Sequence, residues 1–311
     1  MSAALSVVIC THNRFRLLRN CLESLAAQKF ELSSFEVIVV DNASTDATRV
    51  VVEEFSSGIL PIQYIYEGHL GLSRARATGF RNSTGRYIAY IDDDAQAHPG
   101  WCAAICQAFE QNAEAQSGRV AALGGPIELV FESGRPSWLT VELEPYYAPL
   151  DLGSALQFFA PPLVPIGANM AFRRGVLQDH PWDESLIMSE EVELFKRLTA
   201  NGFTFLYVPA MRISHFVPAE RCTVKWLLTR YHAEGLDQKN LRHGIWPKAR
   251  LMLRAILELV RSCAFLLFGA RQHRLSRRCK LKFQIGILEG FLNVGGGPTV
   301  YRERFNPRKS N

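Results

Sequence analysis

The sequence predicts an α/β fold, a mostly parallel central sheet flanked by helices, with a basic helical appendage at its C-terminal end. Two observations carry the sheet. Short β-branched runs alternate with amphipathic helical stretches through the first half, and each run closes in a polar, turn-forming segment. A third observation carries the appendage. Residues 240–311 hold 15 Lys and Arg against 3 Asp and Glu, whereas residues 1–239 hold 20 against 27. With 311 residues, 48% hydrophobic and 21% charged, the chain can bury a large core and lacks the composition of a disordered one.

LSVVIC (5–10) reads as a strand ending in THNR, and residues 16–28 as a helix with Leu17, Leu18, Cys21, Leu22 and Leu25 on one face. FEVIVV (35–40) is a second strand, closed by DNASTD, where Asp41, Asn42 and Ser44 supply turn and cap chemistry. A helix near 45–55 leads to a strand at 61–66, and a helix over 71–82 leads to RYIAYI (86–91) and three aspartates. A helix and a mixed strand region fill 101–132. The Pro- and aromatic-rich stretch 133–165 reads as one mobile loop, a candidate acceptor-side flap. IGANMAFRR (166–174) is strand-like. Residues 189–202 form a helix with Val192, Phe195, Leu198 and Thr199 on its apolar side, and FTFLYVP is a further strand. The division expected is a catalytic domain over 1–218, with a nucleotide-binding half 1–100 and an acceptor-side half 101–218, then a helical basic region over 219–311.

Seven cysteines without a CxxC pair read as reduced thiols of a cytosolic protein. The N-terminus has no signal-peptide pattern, and the most apolar helical stretch, from Leu251, is broken by Arg254, Glu258 and Arg261.

Ligands of a parallel sheet bind beyond the carboxyl ends of its strands, which selects THNR, DNASTD and DDD as one rim. Asp92, Asp93 and Asp94 repel one another, and folding alone gives no reason to gather them. A divalent cation does, because Mg²⁺ and Mn²⁺ take hard oxygen ligands. In an extended segment Asp92 and Asp94 would share one side and Asp93 the other; a solvated acidic turn is the plainer alternative. Asp41 suits a ribose or base contact, and equally an Asx-turn. Thr11 with Asn13 is open in the same way. Arg74 and Arg76 suit phosphate, though a surface helix also carries Arg. Glu190 and Glu191 open a helix whose dipole favours acids, or else one is a general base. His215 is a ligand or a structural histidine.

In order along the chain, THNR, VVDNASTDAT, GLSRARATGFRNSTGRYIAYIDDDA, GANMAFRR and DESLIMSEEVELFKRL resemble the motifs of family 2 of the inverting glycosyltransferases, over about residues 5–216. The resemblance implies the GT-A fold. It implies that Thr11 and Asp41 hold base and ribose, and that Asn13, Arg14, Ser44 and Asp93 join them in the donor-binding loops. Arg76 would lie by the nucleotide or its phosphates, and Gly167, Ala168 and Asn169 would line the sugar pocket. Asp92 and Asp94 match the DXD element, with Asp94, Asp92 and His215 at Mg²⁺ or Mn²⁺. Glu191 falls at the general base, where the family has Glu-Asp and this chain has Glu-Glu, so Glu190 could share the role. The implied reaction moves a sugar from a nucleotide-diphosphate donor, UDP being favoured, to a hydroxyl of a glycan or lipid-linked acceptor. Family members of this length serve polysaccharide, lipopolysaccharide and glycolipid assembly. A non-catalytic relative that binds nucleotide sugar or glycan is the alternative; a phosphohydrolase lacks a supporting nucleophile signature.

In the basic region, Arg250, Arg254, Glu258 and Arg261 recur opposite Leu251, Ile256, Leu259 and Val260, as an amphipathic helix would place them. Residues 246–292 suit an anionic membrane surface, at the cytoplasmic face, or packing on the catalytic domain; no nucleic-acid module accompanies the charge.

Overall fold

The computed structural model describes residues 3–31, 34–58, 60–112, 118–186, 189–238, 245–268 and 273–292, with residues 237 and 263–268 described by backbone only. It divides into two compact units. The first comprises Met1–Val130 and Ala148–Phe216; the second comprises Phe131–Tyr147 and the described residues from Val217 on.

In the first unit, β1 (Leu5–Thr11), β2 (Phe35–Asp41), β3 (Ile62–Tyr66) and β4 (Tyr87–Ile91) are parallel, joined by α1 (Phe15–Ala26), α2 (Thr48–Ser56) and α3 (Leu72–Asn82). Near-continuous burial of β1, β2 and β4 explains their unbroken apolar runs. Gly79 lets α3 lie directly on β1, since a Cβ there would stand 2.3 Å from Val8 Cγ1. After β5 (Ala95–Ala97) and α4 (Trp101–Gln111) come β6 (Val120–Gly124), β7 (Ile127–Phe131), β8 (Gln157–Phe158) and β9 (Asn169–Arg173). Then follow α5 (Arg174–Asp179), α6 (Glu190–Ala200), β10 (Thr204–Tyr207) and β11 (Ile213–Val217). The main sheet runs β3-β2-β1-β4-β9-β6-β10-β8, and a small sheet runs β5-β11-β7.

The expected parallel sheet is interrupted. β9 lies antiparallel between β4 and β6, pairing Ile91 with Asn169 and Ala122 with Phe172. Its apolar run NMAFR carries no mark of direction, because antiparallel and parallel central strands bury alike. The face of α6 also differs from expectation. Leu194, Phe195 and Leu198 point inward with Glu190, while Val192 and Thr199 face solvent. The helix is turned so that Glu190 meets a buried arginine.

In the second unit, α7 (Val224–Asp237), α8 (Ile245–Phe268) and α9 (Arg274–Leu292) are the helices of the basic region. Thr223 caps α7 by accepting from the Trp226 N–H. Gly286 and Gly290 sit against the backbone of α7, close enough that any larger residue would collide. The stretch 133–165, expected as one mobile loop, is divided. A 3₁₀ turn, Glu144–Tyr147, stacks Tyr146 on Tyr231 (3.6 Å between ring centres) and Tyr147 on Trp226 (5.3 Å). Leu150, in contrast, bonds back to Ile127 within the first unit.

Six cysteines are free thiols, and burial pushes those of Cys10, Cys21, Cys102, Cys106, Cys222 and Cys279 away from the thiolate. Cys263 lies outside the described side chains. Among the described residues no helix is long and apolar enough to cross a membrane.

Candidate active site

Parallel register builds the rim. Thr11 ends β1 directly beside Asp41, which ends β2, and the aspartates follow β4 on the other side of β1. Asp41 is buried and its carboxylate is engaged twice. Oδ1 accepts the Ser44 N–H at 2.8 Å, and Oδ2 accepts the Tyr64 hydroxyl at 2.7 Å. The Asp41 side chain thus bonds the backbone three residues on, as a cap residue does, and not two residues on as in an Asx-turn. Asn13, at φ 55°, donates its N–H to Ser44 Oγ (2.9 Å) and accepts the Thr45 N–H (2.7 Å), tying the first loop to the second.

The aspartates do not continue an extended strand. They turn, with the Ala95 N–H donating to the Asp92 carbonyl at 3.0 Å, so strict alternation fails. Asp93 accepts from Thr11 Oγ1 (2.7 Å) and Arg14 Nη1 (2.9 Å), and the same Arg14 nitrogen reaches Asp94 Oδ2 at 3.2 Å. Asp94 Oδ1 lies 3.2 Å from His215 Nε2. β11 makes that approach, because His215 pairs with Ala95 and the Phe216 N–H donates to the Asp94 carbonyl. Asp92 turns instead toward Arg76, 3.8 Å away.

Arg76 is the hub. It is buried, lies over the Trp182 ring at 5.3 Å, and donates to Glu190 Oε1 (2.5 Å) and Glu191 Oε2 (2.8 Å). The Glu190 side chain is 2% exposed and that of Glu191 30%, so Glu191 is the one an incoming molecule can reach. Burial pushes the Glu190 carboxyl up to about 7, with Arg76 opposing and Glu191 adding to the rise. Burial likewise lifts Asp92 to about 6 against the pull of Arg76, and it raises Asp93. Gly167 makes room for the hub, since a Cβ there would stand 2.5 Å from Arg76 Nη2 and 2.7 Å from Glu191 Oε2.

The structure thus gathers Thr11, Asn13, Arg14, Asp41, Ser44, Arg76, Asp92, Asp93, Asp94, Gly167, Glu190, Glu191 and His215 around one rim. Asn169 is the exception. It is fully buried, accepts from Trp101 Nε1 (2.9 Å) and donates to the Pro126 and Met211 carbonyls, which makes it a core tie and not a surface of a sugar pocket. Arg74 stays at the surface, 3.8 Å from Glu184. Arg76 is turned to carboxylates, not outward to a phosphate. Tyr64 and Trp182 complete the site and carried no signal of their own: Tyr64 falls inside the strand expected at 61–66, and Trp182 lies in no element the sequence marks.

Among the described residues no three His, Cys, Asp or Glu side chains form a group able to hold a metal unaided. Asp94 and His215 form a two-donor set of carboxylate and imidazole, which fits an ion that draws its other ligands from phosphate and water.

A model of Glycosyl transferase family 2 matches residues 6–180. The chain belongs to that family. It is similar to the succinoglycan biosynthesis protein ExoM of Rhizobium meliloti, 26% identical over 93% of each chain. It is also 26% identical to the glycosyltransferase AglE of Haloferax volcanii, over 65% of this chain and 63% of AglE, less than two thirds of that relative. The mannosyltransferase PcManGT from Pyrobaculum calidifontis, solved with GDP-Man and Mn²⁺, superposes with a TM-score of 0.61 at 18% identity, over 94% of this chain and 88% of that one. TarS 1–349 of S. aureus, solved with UDP, gives 0.53 at 16% identity over 94% and 92%. These likenesses show that the family 2 chain has the GT-A fold.

Proposed function

We propose that this family 2 protein is a metal-dependent inverting glycosyltransferase that moves a sugar from a nucleotide-diphosphate donor to a hydroxyl of a glycan or lipid-linked acceptor. One observation carries the reading. Arg76 touches both the aspartate turn after β4 and the glutamate pair heading α6, so the donor-side and base-side groups form one site. Relatives support it. Solved neighbours hold GDP-Man with Mn²⁺, or UDP, and one relative of Haloferax volcanii is named a glucosyl-dolichyl phosphate glucuronosyltransferase.

Thr11, Asn13 and Asp41 form the base and ribose end of the cleft. Asp94 and His215 would hold Mg²⁺ or Mn²⁺ together with the donor's diphosphate, and Asp92 lies beside them. A cation held there would offset the charge that builds on the departing nucleoside diphosphate. Glu191 takes the proton from the acceptor hydroxyl, whose oxygen attacks the anomeric carbon from the face opposite the leaving group. The new C–O bond forms as the bond to the diphosphate breaks, and the electron pair leaves with the diphosphate. Glu190, buried behind Glu191, positions it through Arg76. The lipid-linked form of acceptor would be met at an anionic, cytoplasmic membrane face.

Calorimetric titration with UDP, GDP and dTDP, with and without Mn²⁺, tests the donor site. The expected result is Mn²⁺-dependent binding of one nucleotide, weakened at least tenfold in Asp94→Asn. Binding of none of them removes the donor site. Glu191→Gln separates catalysis from binding: it should keep the nucleotide and lose transfer, and a variant with unchanged transfer overturns the base.

A further inference from the structure

The first 18 residues of α8 carry apolar side chains on two faces, and among the described residues only one of them is covered. Ala255 and Ser262 are buried, with Leu251 and Leu259 half-buried beside them, on the side that packs against α9. At 3.6 residues per turn, Met252, Ile256, Val260, Leu253 and Trp246 follow one another around roughly 120° of the circumference on the other side, and Leu257 comes next, at the border where the groove between α8 and α9 begins. All six are exposed, from Met252 at 42% to Trp246 at 81%. Ile256 and Val260, expected to share a face with Leu251 and Leu259, belong to this open face instead. Of the 17 large apolar residues exposed among the described ones, seven lie on this helix.

Arg250, Arg261 and Arg254 fall next around the same circumference, forming a row between the open face and the groove toward α9, which Arg254 and Arg261 also line, and all three are exposed. Arg261 shares its charge with Glu258 at 2.7 Å, the one acid among the first 18 residues of the helix. Other cations of the basic region, Arg242, Arg271, Arg302, Arg304, Arg308 and Lys309, lie outside the described residues. A wide apolar face with an interfacial tryptophan and a bordering cationic row is the physical description of a helix lying in the plane of a lipid surface.

We propose that the open face of α8 docks on an anionic lipid bilayer, with Trp246, Leu253, Leu257 and Val260 entering the headgroup–acyl boundary and Arg250, Arg254 and Arg261 meeting lipid phosphates. Charge complementarity selects this occupant over a second copy of the chain, whose identical face would set three arginines against three. For its purpose alone the inference rests on the lipid-linked acceptor proposed above. The contact itself requires neither donor nor acceptor.

Flotation of the full chain with lipid vesicles, in the absence of nucleotide, tests it. The chain should float with vesicles one third phosphatidylglycerol and far less with phosphatidylcholine alone, and added salt should weaken the binding. Replacing Arg250, Arg254 and Arg261 by Gln should weaken partitioning on the order of a hundredfold, at about tenfold or less per cation. Leu253→Ser with Val260→Ser should lower it at least tenfold, both positions being exposed and away from the groove toward α9. No flotation with anionic vesicles overturns the proposal, as does equal binding to neutral ones. A dimer in light scattering that the two serines dissociate, with no vesicle binding by the parent, assigns the face to a second copy and overturns it too. Nucleotide titration of the same samples reads the donor site separately, so failure of either proposal is seen without the other.

Discussion

Arg76 answers to three carboxylates from a site with almost no access to water, and that makes it the residue whose loss should cost most. Replacing it by Met leaves Glu190 and Glu191 without their cation. The expected destabilisation is roughly 3–5 kcal/mol above pH 7, read by urea denaturation, and an unchanged midpoint would contradict the hub. Below that pH the loss should be smaller, because Glu190 can then be neutral. The sign follows from its raised carboxyl. The unfolded chain releases this proton near 4.5 and the folded chain near 7. Between those values the folded chain binds more protons, so stability falls as pH rises through the window. Asp92, lifted to about 6, acts in the same direction over a narrower span. Glu190→Gln should flatten the decline, and a slope unaltered by that change would show that Glu190 is not its source. At Gly167 a methyl group would strike Arg76 and Glu191. Gly167→Ala is expected to lower kcat tenfold or more while nucleotide affinity moves little, whereas a loss confined to affinity would place Gly167 on the donor side.

Between elements the governing contact is α3 on β1. Gly79 admits the helix to within touching distance of Val8, so Gly79→Ala should destabilise the first unit by about 1–3 kcal/mol through overpacking. Adding Val8→Ala makes space for the methyl, and the pair should recover part of that loss; a strictly additive double variant would argue that the two do not touch. The elements also show what sequence could and could not disclose. β1, β2, β4 and α1 were legible because burial on both sides of a sheet, or on one side of a helix, leaves a periodic trace. The direction of β9 left none, β5 is too short to carry a period, and β11 alternates in burial but turns His215 inward and Phe216 outward, which hides the alternation in the sequence. α6 was placed along the chain but rotated wrongly, because its inward face includes a glutamate. Polar residues are read as outward unless their partner is known, and Arg76 lies over a hundred positions away.

For the molecule as a whole, the rim was legible and the wiring across it was not. Strand ends in a sheet of this class point to one edge, so THNR, DNASTD and DDD could be grouped without coordinates. Nothing local indicates that Thr11 caps Asp93, that Asp93 and Asp94 share Arg14, or that Asn169 is spent on Trp101 and two carbonyls. Such pairings are set by tertiary distance, and a residue type names only its capacity. The same holds for the basic region, where composition gave the charge and only the helix packing shows which apolar side is left open.

The reversed strand has a further consequence, in time and not in space. A chain made from its N-terminus can complete β3-β2-β1-β4 once Ile91 has formed, yet β4 then stands as an unfinished border. Its next neighbour, β9, begins only at Asn169, and β6, made earlier, must wait on β9's far side. For that interval an apolar ladder of unmet amides is open to any extended segment nearby. The late-arriving residues that close this border, NMAFR, directly follow the segment bearing Gly167. Sealing the sheet and bringing Gly167 to its place beside Arg76 are therefore one event in the assembly of the protein.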